Sequence, residues 1–129
     1  MNSTAVTAGI RVEVRPEFQE THSEADSDYF VFSYTVRIVN TNPYPVKLIS
    51  RKWHVFDSIF QHSEVEGAGV VGEQPELNEG EEFKYTSACN LFSDIGYMKG
   101  NYIFLNLNTG KSFTVDIPQF YLIPPHRKN

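Results

Sequence analysis

The sequence predicts an all-β domain, and three observations lead to that prediction. The chain is rich in aromatic residues, with Phe 10, Tyr 7 and Trp 1, a composition that suits half-buried pleated surfaces better than helices. Apolar and polar residues alternate with a period of two in several segments, which is the pattern of strands with one buried face. Turn residues also recur at intervals of about ten residues. We therefore expect a β-sandwich of about seven to eight antiparallel strands, of the immunoglobulin or fibronectin type III style.

The first third of the chain is predicted to hold two strands. Apolar and charged residues alternate over 10–14, and Pro16 is predicted to end this strand. The polar, acidic segment 19–28 is expected to be a mobile connection. Residues 29–39 follow as the clearest strand, with apolar residues on both faces.

A dense turn signal at 40–45, rich in Asn and Pro, precedes a long predicted strand over 46–56. The alternation slips at Leu48 and Ile49, which indicates a bulge, and Trp53 is the expected core anchor. A loop is predicted over 88–100. The remaining predicted strands cover 60–66, 82–87, 102–107, 111–117 and 119–123.

Length and composition set the class of protein. A chain of 129 residues is expected to form one domain, 1–129, with flexible termini at 1–7 and 125–129. The net charge of −5 disfavours nucleic acids and anionic membranes as partners. Cys89 is the single cysteine, so no internal disulfide can form, and no apolar run approaches the roughly 20 residues of a membrane span. We expect a cytoplasmic protein without membrane insertion, either a monomer or a homodimer.

Three glycines, Gly67, Gly69 and Gly72, reproduce the G-x-G-x-x-G spacing of dinucleotide-binding loops. In those loops the glycines close a strand and open a helix whose N-terminus holds the pyrophosphate. The residues after Gly72 are acidic, include Pro75 and reach another glycine within eight positions, which leaves no room for the helix. The context therefore argues against a Rossmann site.

Two interpretations of this loop remain open. The glycines can serve conformation alone, by permitting positive φ and a tight crossing while Val70 and Val71 enter the core. Alternatively, a nest of backbone N–H groups binds pyrophosphate or another anion. Arg51, Lys52 and Lys84 are the candidate cations for such a site.

Metal ligands are not evident from the residue spacing. Glu64, Glu66 and Glu73 offer hard oxygen donors suited to Mg²⁺, but acids near a loop more often form a solvated surface. Softer metals prefer histidine, and His54 and His62 can meet only if the register of their hairpin aligns them. The sequence thus predicts no metal ligands and leaves Mg²⁺ or Co²⁺ as candidate cofactors only.

Catalytic residues cannot be nominated either. Cys89 has no recognisable histidine partner, and Ser87, Thr86 and Asp94 do not form a triad with a nearby histidine. We therefore expect no enzymatic activity, and a hydrolase acting on dinucleotide polyphosphates ranks last among the functions considered.

The run Gly67–Pro75, together with 50–53 before it and 83–89 after it, resembles the ApaG family. The resemblance extends over nearly the whole chain. It implies a fibronectin-like β-sandwich in a bacterial cytoplasmic protein, and a genetic association with cobalt resistance and magnesium efflux rather than an established reaction. Because the chain has no membrane span, a role in efflux would be indirect.

The function predicted from the sequence is that of a non-enzymatic binding or protein-interaction domain with an unidentified protein partner. The loop Gly67–Pro75 is its preferred contact surface, and aromatic residues with methionine are favoured at interfaces. The alternative is a nucleotide or pyrophosphate sensor that uses the same loop with a divalent metal. The candidate anion-binding residues are Gly67, Gly69, Gly72, Arg51 and Lys84. The candidate partner-surface residues are Glu73, Gln74, Pro75, Tyr97 and Met98.

Overall fold

The computed structural model describes residues 2–20, 29–58 and 61–125, apart from the side chain of Gln61. Over these ranges the chain forms nine β-strands, and none of the described residues forms a helix long and apolar enough to cross a membrane. The predicted all-β class is confirmed. The strands are β1 (Ser3–Thr7), β2 (Ile10–Phe18), β3 (Phe30–Asn40), β4 (Val46–Asp57), β5 (Gln61–Ala68), β6 (Glu76–Leu77), β7 (Glu82–Leu91), β8 (Gly96–Asn106) and β9 (Ser112–Leu122).

The strands form two antiparallel sheets packed as a sandwich. The first sheet has the order β1-β2-β3-β7, and the second has the order β5-β4-β8-β9 with the short β6 also paired to β4. Strand β9 packs against β1 and β2, which closes one side of the sandwich. Strands β7 and β5 are the sheet edges on the other side.

The core lies between the sheets and is built from the alternation within each strand. Every second residue of β3, from Phe30 to Asn40, is buried, as expected for a strand with one face on the core. Trp53 of β4 is only 3% exposed, and its ring meets those of Tyr34 at 5.4 Å and Phe120 at 5.9 Å, both edge to face. Trp53 is therefore the core anchor that the sequence predicted.

The prediction of a flexible N-terminus over 1–7 is wrong for Ser3–Thr7, which forms β1, and residue 1 lies outside the described ranges. Strand β1 pairs with 10–14 of β2 through a two-residue turn at Ala8 and Gly9, which have φ of 49° and 76°. Two successive positive φ values match the twist of a hairpin, so the turn holds the strand in register. At the other terminus a flexible segment was predicted over 125–129, and residues 126–129 of it lie outside the described ranges. The predicted mobile connection at 19–28 lies outside them from 21 onwards.

Pro16 does not end β2, contrary to the prediction, since the strand continues to Phe18 with Pro16 opposite Tyr34 of β3. Val14 is the last β2 residue that pairs with β1. Beyond it β2 is an edge strand, where the missing N–H of proline can be tolerated.

The prediction of a loop over 88–100 is also wrong in extent. The connection is shorter, because β7 continues to Leu91 and β8 begins at Gly96. The connection is short because Asp57 organises it. The Asp57 carboxylate accepts hydrogen bonds from the Phe92 N–H, at 2.7 Å, and from the Ser93 hydroxyl. Both Asp57 and Ser93 are buried, and this bonding compensates for the removal of their polar groups from water.

Two bulges shape the second sheet. The β4–β8 register shifts between Leu48 and Ser50, where the sequence predicted a bulge, and the prediction is confirmed. A second shift lies between Met98 and Gly100 in the pairing of β8 with β9. Strand β9 therefore continues through Pro118, joining the two segments that the sequence predicted separately.

Candidate functional site

The glycine loop joins β5 to β6 and turns sharply at its centre. Val70 and Glu73 exchange both backbone hydrogen bonds, at 2.8 and 2.9 Å. The two residues between them, Val71 and Gly72, have φ of 43° and 81°. This pattern is that of a type I′ turn, and a two-residue strand follows it where a Rossmann loop would open a helix.

Backbone and side-chain bonds fasten the loop to β4. The Gly69 N–H and the Gln74 side-chain amide both donate to the Ile49 carbonyl at 2.8 Å, and the Leu48 N–H donates to the Pro75 carbonyl at 3.0 Å. A Cβ atom on Gly69 would lie 2.1 Å from the Glu73 carbonyl oxygen, and Gly69 has φ of 62°. Gly69 therefore has the conformational role that the first interpretation assigned to the glycines.

The two valines of the loop point in opposite directions. Val70 is fully buried, as predicted, whereas Val71 is 52% exposed, so the prediction that both enter the core is wrong for Val71. Val71 is one of the two central residues of the turn, and its side chain points to solvent. A β-branched residue with positive φ is an outlier, because its Cβ crowds the neighbouring backbone.

Arg51 crosses the base of the loop. It lies on β4 opposite Gly67 of β5, and its Nη1 donates to the carbonyls of Ala68 at 3.2 Å and Gly69 at 2.9 Å. A Cβ atom on Gly67 would lie 2.7 Å from Arg51 Nη1. Gly67 therefore makes room for the guanidinium group, and the carbonyl oxygens bind its charge.

The structure does not assemble the predicted anion site. The N–H groups of Gly69, Val70 and Glu73 are already bonded to carbonyls. Lys84 lies on β7 in the other sheet, exposed opposite Arg37 and lining a shallow pocket with Glu13. The topology pairs β7 with β3, so the expectation that Lys84 joins Arg51 at the loop is wrong. Anion binding at the loop stays a prediction.

A buried tyrosine cluster lies next to Arg51, and sequence reasoning did not identify it. The hydroxyl groups of Tyr85 and Tyr102 share a hydrogen bond across the two sheets. Burial raises the pKa of Tyr34, Tyr85 and Tyr102, and the nearby Arg51 charge opposes that shift. Only the alternation of four separate strands brings these groups together, so no single segment of the sequence signals the cluster.

The partner-surface candidates divide between surface and core. Glu73 and Gln74 are exposed and Pro75 is half-buried. Met98 is only 2% exposed, so the expectation that it contributes to a surface is wrong. It faces inward because Met98 belongs to β8 and not to a loop, and the alternation of that strand places it in the core.

Tyr97 points outward and belongs to a row of three aromatic rings across the second sheet. It stacks on Phe56 at 4.9 Å and meets Tyr121 edge to face at 6.2 Å. The three residues are register neighbours on β4, β8 and β9. Tyr121 is 58% exposed, so the row presents apolar surface to solvent.

The register of the β4–β5 hairpin does align the two histidines. His54 Nδ1 lies 2.9 Å from His62 Nε2, and the rings stack with centroids 5.1 Å apart. Glu64 is directly opposite His54, with its Oε1 atom 3.5 Å from His54 Nδ1. Lys52 pairs with both neighbouring acids, at 3.8 Å from Glu64 and 3.3 Å from Glu66.

Cys89 is half-buried on β7. Burial, and to a smaller extent the Asp57 charge, raises the pKa of its thiol to about 11. At neutral pH this favours the thiol over the thiolate, which is the reactive nucleophile.

These features define the class of protein as a two-sheet β-sandwich with a rigid, glycine-containing turn between β5 and β6. The family model described as the ApaG domain matches residues 20–106. The chain belongs to the ApaG family.

Individual relatives support this assignment. The chain is 45% identical over 125 residues to Protein ApaG of Parvibaculum lavamentivorans, covering 97% of this chain and 95% of that one. It is 45% identical over 127 residues to Protein ApaG of Anaeromyxobacter dehalogenans, covering 98% and 99%. A Bordetella pertussis protein whose crystal structure carries the ApaA name superposes with a TM-score of 0.86 at 43% identity, covering 90% of this chain and 94% of that one.

Proposed function

We propose that this ApaG-family chain is a cytoplasmic protein-interaction domain that contacts its partner with the tip of the glycine loop. The observation that carries the proposal is Val71, which has φ of 43° and a side chain that is 52% exposed. A left-handed conformation costs an ordinary L-residue roughly 1–2 kcal/mol, and burial of the side chain does not offset that cost here. Backbone outliers of this kind concentrate at binding sites.

The tip has the properties of a preformed contact. The turn is closed by the paired hydrogen bonds of Val70 and Glu73, and Gln74 anchors it to β4. A rigid turn loses little conformational entropy when it binds. Val71 offers an apolar contact beside the exposed Glu73 carboxylate. The matching surface is an apolar hollow on another protein with a basic residue at its rim.

The nucleotide or pyrophosphate sensor is the second function considered, and the geometry favours it less. Arg51 Nη1 and three loop N–H groups already bond to carbonyls, so an anion would have to displace these bonds. An indirect role in cobalt resistance and magnesium efflux belongs with the interaction proposal, because it would act through the partner.

The test begins with photo-cross-linking in cells, with a photoreactive phenylalanine analogue placed at Val71. The matched control places the analogue at Val6, which is 64% exposed on β1. A protein captured at Val71 and not at Val6 is then purified, and its affinity for Val71→Asn and Val6→Asn is measured by calorimetry. Asparagine tolerates positive φ, so Val71→Asn should keep the turn while removing the apolar contact.

We expect Val71→Asn to weaken binding at least about tenfold, which corresponds to about 1.4 kcal/mol, and Val6→Asn to leave it unchanged. Equal capture at both positions, or wild-type affinity of Val71→Asn, would reject the loop as the contact. A parallel amide NMR titration with pyrophosphate and ATP, with and without Mg²⁺, tests the sensor. Saturable shifts centred on Gly67, Gly69 and Gly72 would favour the sensor instead.

A further inference from the structure

We infer that His54, His62 and Glu64 form a binding site for one divalent transition-metal ion on the outer face of the second sheet. The site is separate from the glycine loop and independent of the proposed interaction function. One ligand atom from each of the three residues lies within 4.8 Å of the other two.

The hairpin register creates this arrangement. His54 and Glu64 are directly opposite in the β4–β5 ladder, and His62 is opposite Phe56, two positions along β4. Residues at opposite and diagonal positions of an antiparallel pair have neighbouring side chains on one face. All three side chains therefore converge on the outer face, away from Trp53, which the alternation of β4 turns into the core.

The spacing suits a first-row transition metal. Metal–nitrogen bonds are about 2.05 Å long, so two imidazole nitrogens on one ion are about 2.9 Å apart at a right angle and about 3.3 Å apart in a tetrahedron. The His54 Nδ1 to His62 Nε2 distance is 2.9 Å, within a few tenths of an ångström of both. Two imidazoles with one carboxylate favour Zn²⁺, Co²⁺ or Ni²⁺ over Mg²⁺, which prefers oxygen ligands.

The neighbours of Glu64 leave its carboxylate able to bind a metal ion. Glu64 directs its Oε1 atom to His54 and its Oε2 atom to Lys52, 3.8 Å away. Ligating carboxylates usually have an outer partner of this kind, and Lys52 can keep this position when Oε1 binds a metal. His62 and Glu64 are exposed, so water or a further ligand can complete the coordination from the solvent side.

The competing explanation is a metal-free hydrogen bond between the two imidazoles. At 2.9 Å the contact fits an N–H···N hydrogen bond in which one ring donates and the other accepts, and the stacked geometry adds apolar contact. A metal ion needs the lone pairs of both contacting nitrogens, so the ring that donates this hydrogen bond would carry its proton on its other nitrogen instead. Metal titration separates the two explanations, because only a ligand set binds an ion with defined stoichiometry.

The experiment uses the full-length, untagged chain, titrated with ZnCl₂ by calorimetry and with CoCl₂ by visible absorption. His54→Gln, His62→Gln and Glu64→Gln are the test variants. The matched control is the double variant His22→Gln/His126→Gln, which removes the other two histidines of the sequence. Circular dichroism checks that each variant is folded.

We expect one ion per chain, with each test variant at least about tenfold weaker, because loss of even an outer partner of a ligand typically costs about 10- to 100-fold. The control should bind as the wild type does. On addition of Zn²⁺, the imidazole ¹⁵N signal of the hydrogen-bonded pair should disappear. This loss would place the ion on the rings of His54 and His62. No saturable binding at millimolar metal, or wild-type affinity of His54→Gln or His62→Gln, would overturn the inference.

Discussion

The two faces of β4 differ in what their side chains contact. On the inner face, Arg51 donates to loop carbonyls and Trp53 packs edge to face against two rings of the core. On the outer face, Lys52 and His54 reach side chains of β5, and Phe56 begins the aromatic row. The inner face thus holds the loop and the core together, whereas the contacts of the outer face lie at the solvent side of the sheet.

One extra residue in β4 determines which of its side chains face the core. The register shift between Leu48 and Ser50 inserts one residue into β4. Val46 and Leu48 face the core before the shift, and Trp53 faces it afterwards. Because side chains alternate strictly along a strand, an unbulged β4 would turn Trp53 outward and His54 inward. The bulge therefore controls both the core and the candidate metal site.

The largest effect that tests this division is expected from Trp53→Ala. Removing a fully buried tryptophan costs about 3–5 kcal/mol of unfolding free energy. Phe56→Ala on the outer face should cost about 1 kcal/mol, most of it from the lost stacking on Tyr97. Urea unfolding followed by circular dichroism measures both. Equal losses for the two variants would contradict the division of β4 into a structural and a solvent-facing side.

The second test asks whether Arg51 is structural. Arg51→Met removes the bonds to the Ala68 and Gly69 carbonyls, and hydrogen bonds to a charged group contribute about 1.5–3 kcal/mol. We expect urea unfolding to show a loss of that size. Lys84→Met is the control, because Lys84 is exposed on β7 and an exposed substitution changes stability by less than about 0.5 kcal/mol. Wild-type stability of Arg51→Met would show that its charge is free for a ligand.

The third test follows stability into alkaline solution. Burial raises the pKa of Cys89 to about 11 and also raises the pKa of Tyr34, Tyr85 and Tyr102. In the unfolded chain the pKa is about 8.5 for cysteine and about 10 for tyrosine. A group with a raised folded pKa contributes stability below its unfolded pKa, and that contribution is lost as pH rises towards the folded pKa.

Unfolding free energy should therefore fall by about 2 to 3 kcal/mol between about pH 8 and pH 10, with Cys89 contributing more than half of the decline. Urea titrations at half-unit pH intervals measure the decline. Cys89→Ala removes one of the titrating groups, so its decline should be smaller than that of the wild type. A flat stability profile over this interval would show that the tyrosines and Cys89 reach solvent readily in the folded protein.

Local patterns in the sequence predicted much of the fold. Alternation located most of the strands, and the slip at Leu48 marked the bulge. The extents of β2 and of the β7–β8 connection were wrong because tertiary context decided them. Pro16 is tolerated because the pairing of β2 with β1 stops at Val14, and the Asp57 carboxylate that shortens the connection comes from another strand.

The candidate sites were harder to predict because they depend on pairing between strands. Arg51 was identified as a candidate ligand, but the sequence could not show that Gly67 lies opposite it and leaves space for an internal role. His54 and His62 are eight positions apart, a spacing without a metal-binding signature. Only the hairpin register shows that they meet.

The smallest effect is expected for Lys52→Ala on the outer face. Lys52 forms ion pairs with Glu64 and Glu66, and all three side chains are well exposed. Exposed ion pairs contribute about 0–1 kcal/mol, because water screens the attraction and ordering two long side chains costs entropy. We expect a loss below about 1 kcal/mol in urea unfolding, and less again at high salt. A larger loss that persisted in salt would mean that the outer face also supports the fold, and His54 and Glu64 would then be held for structure rather than presented to a ligand.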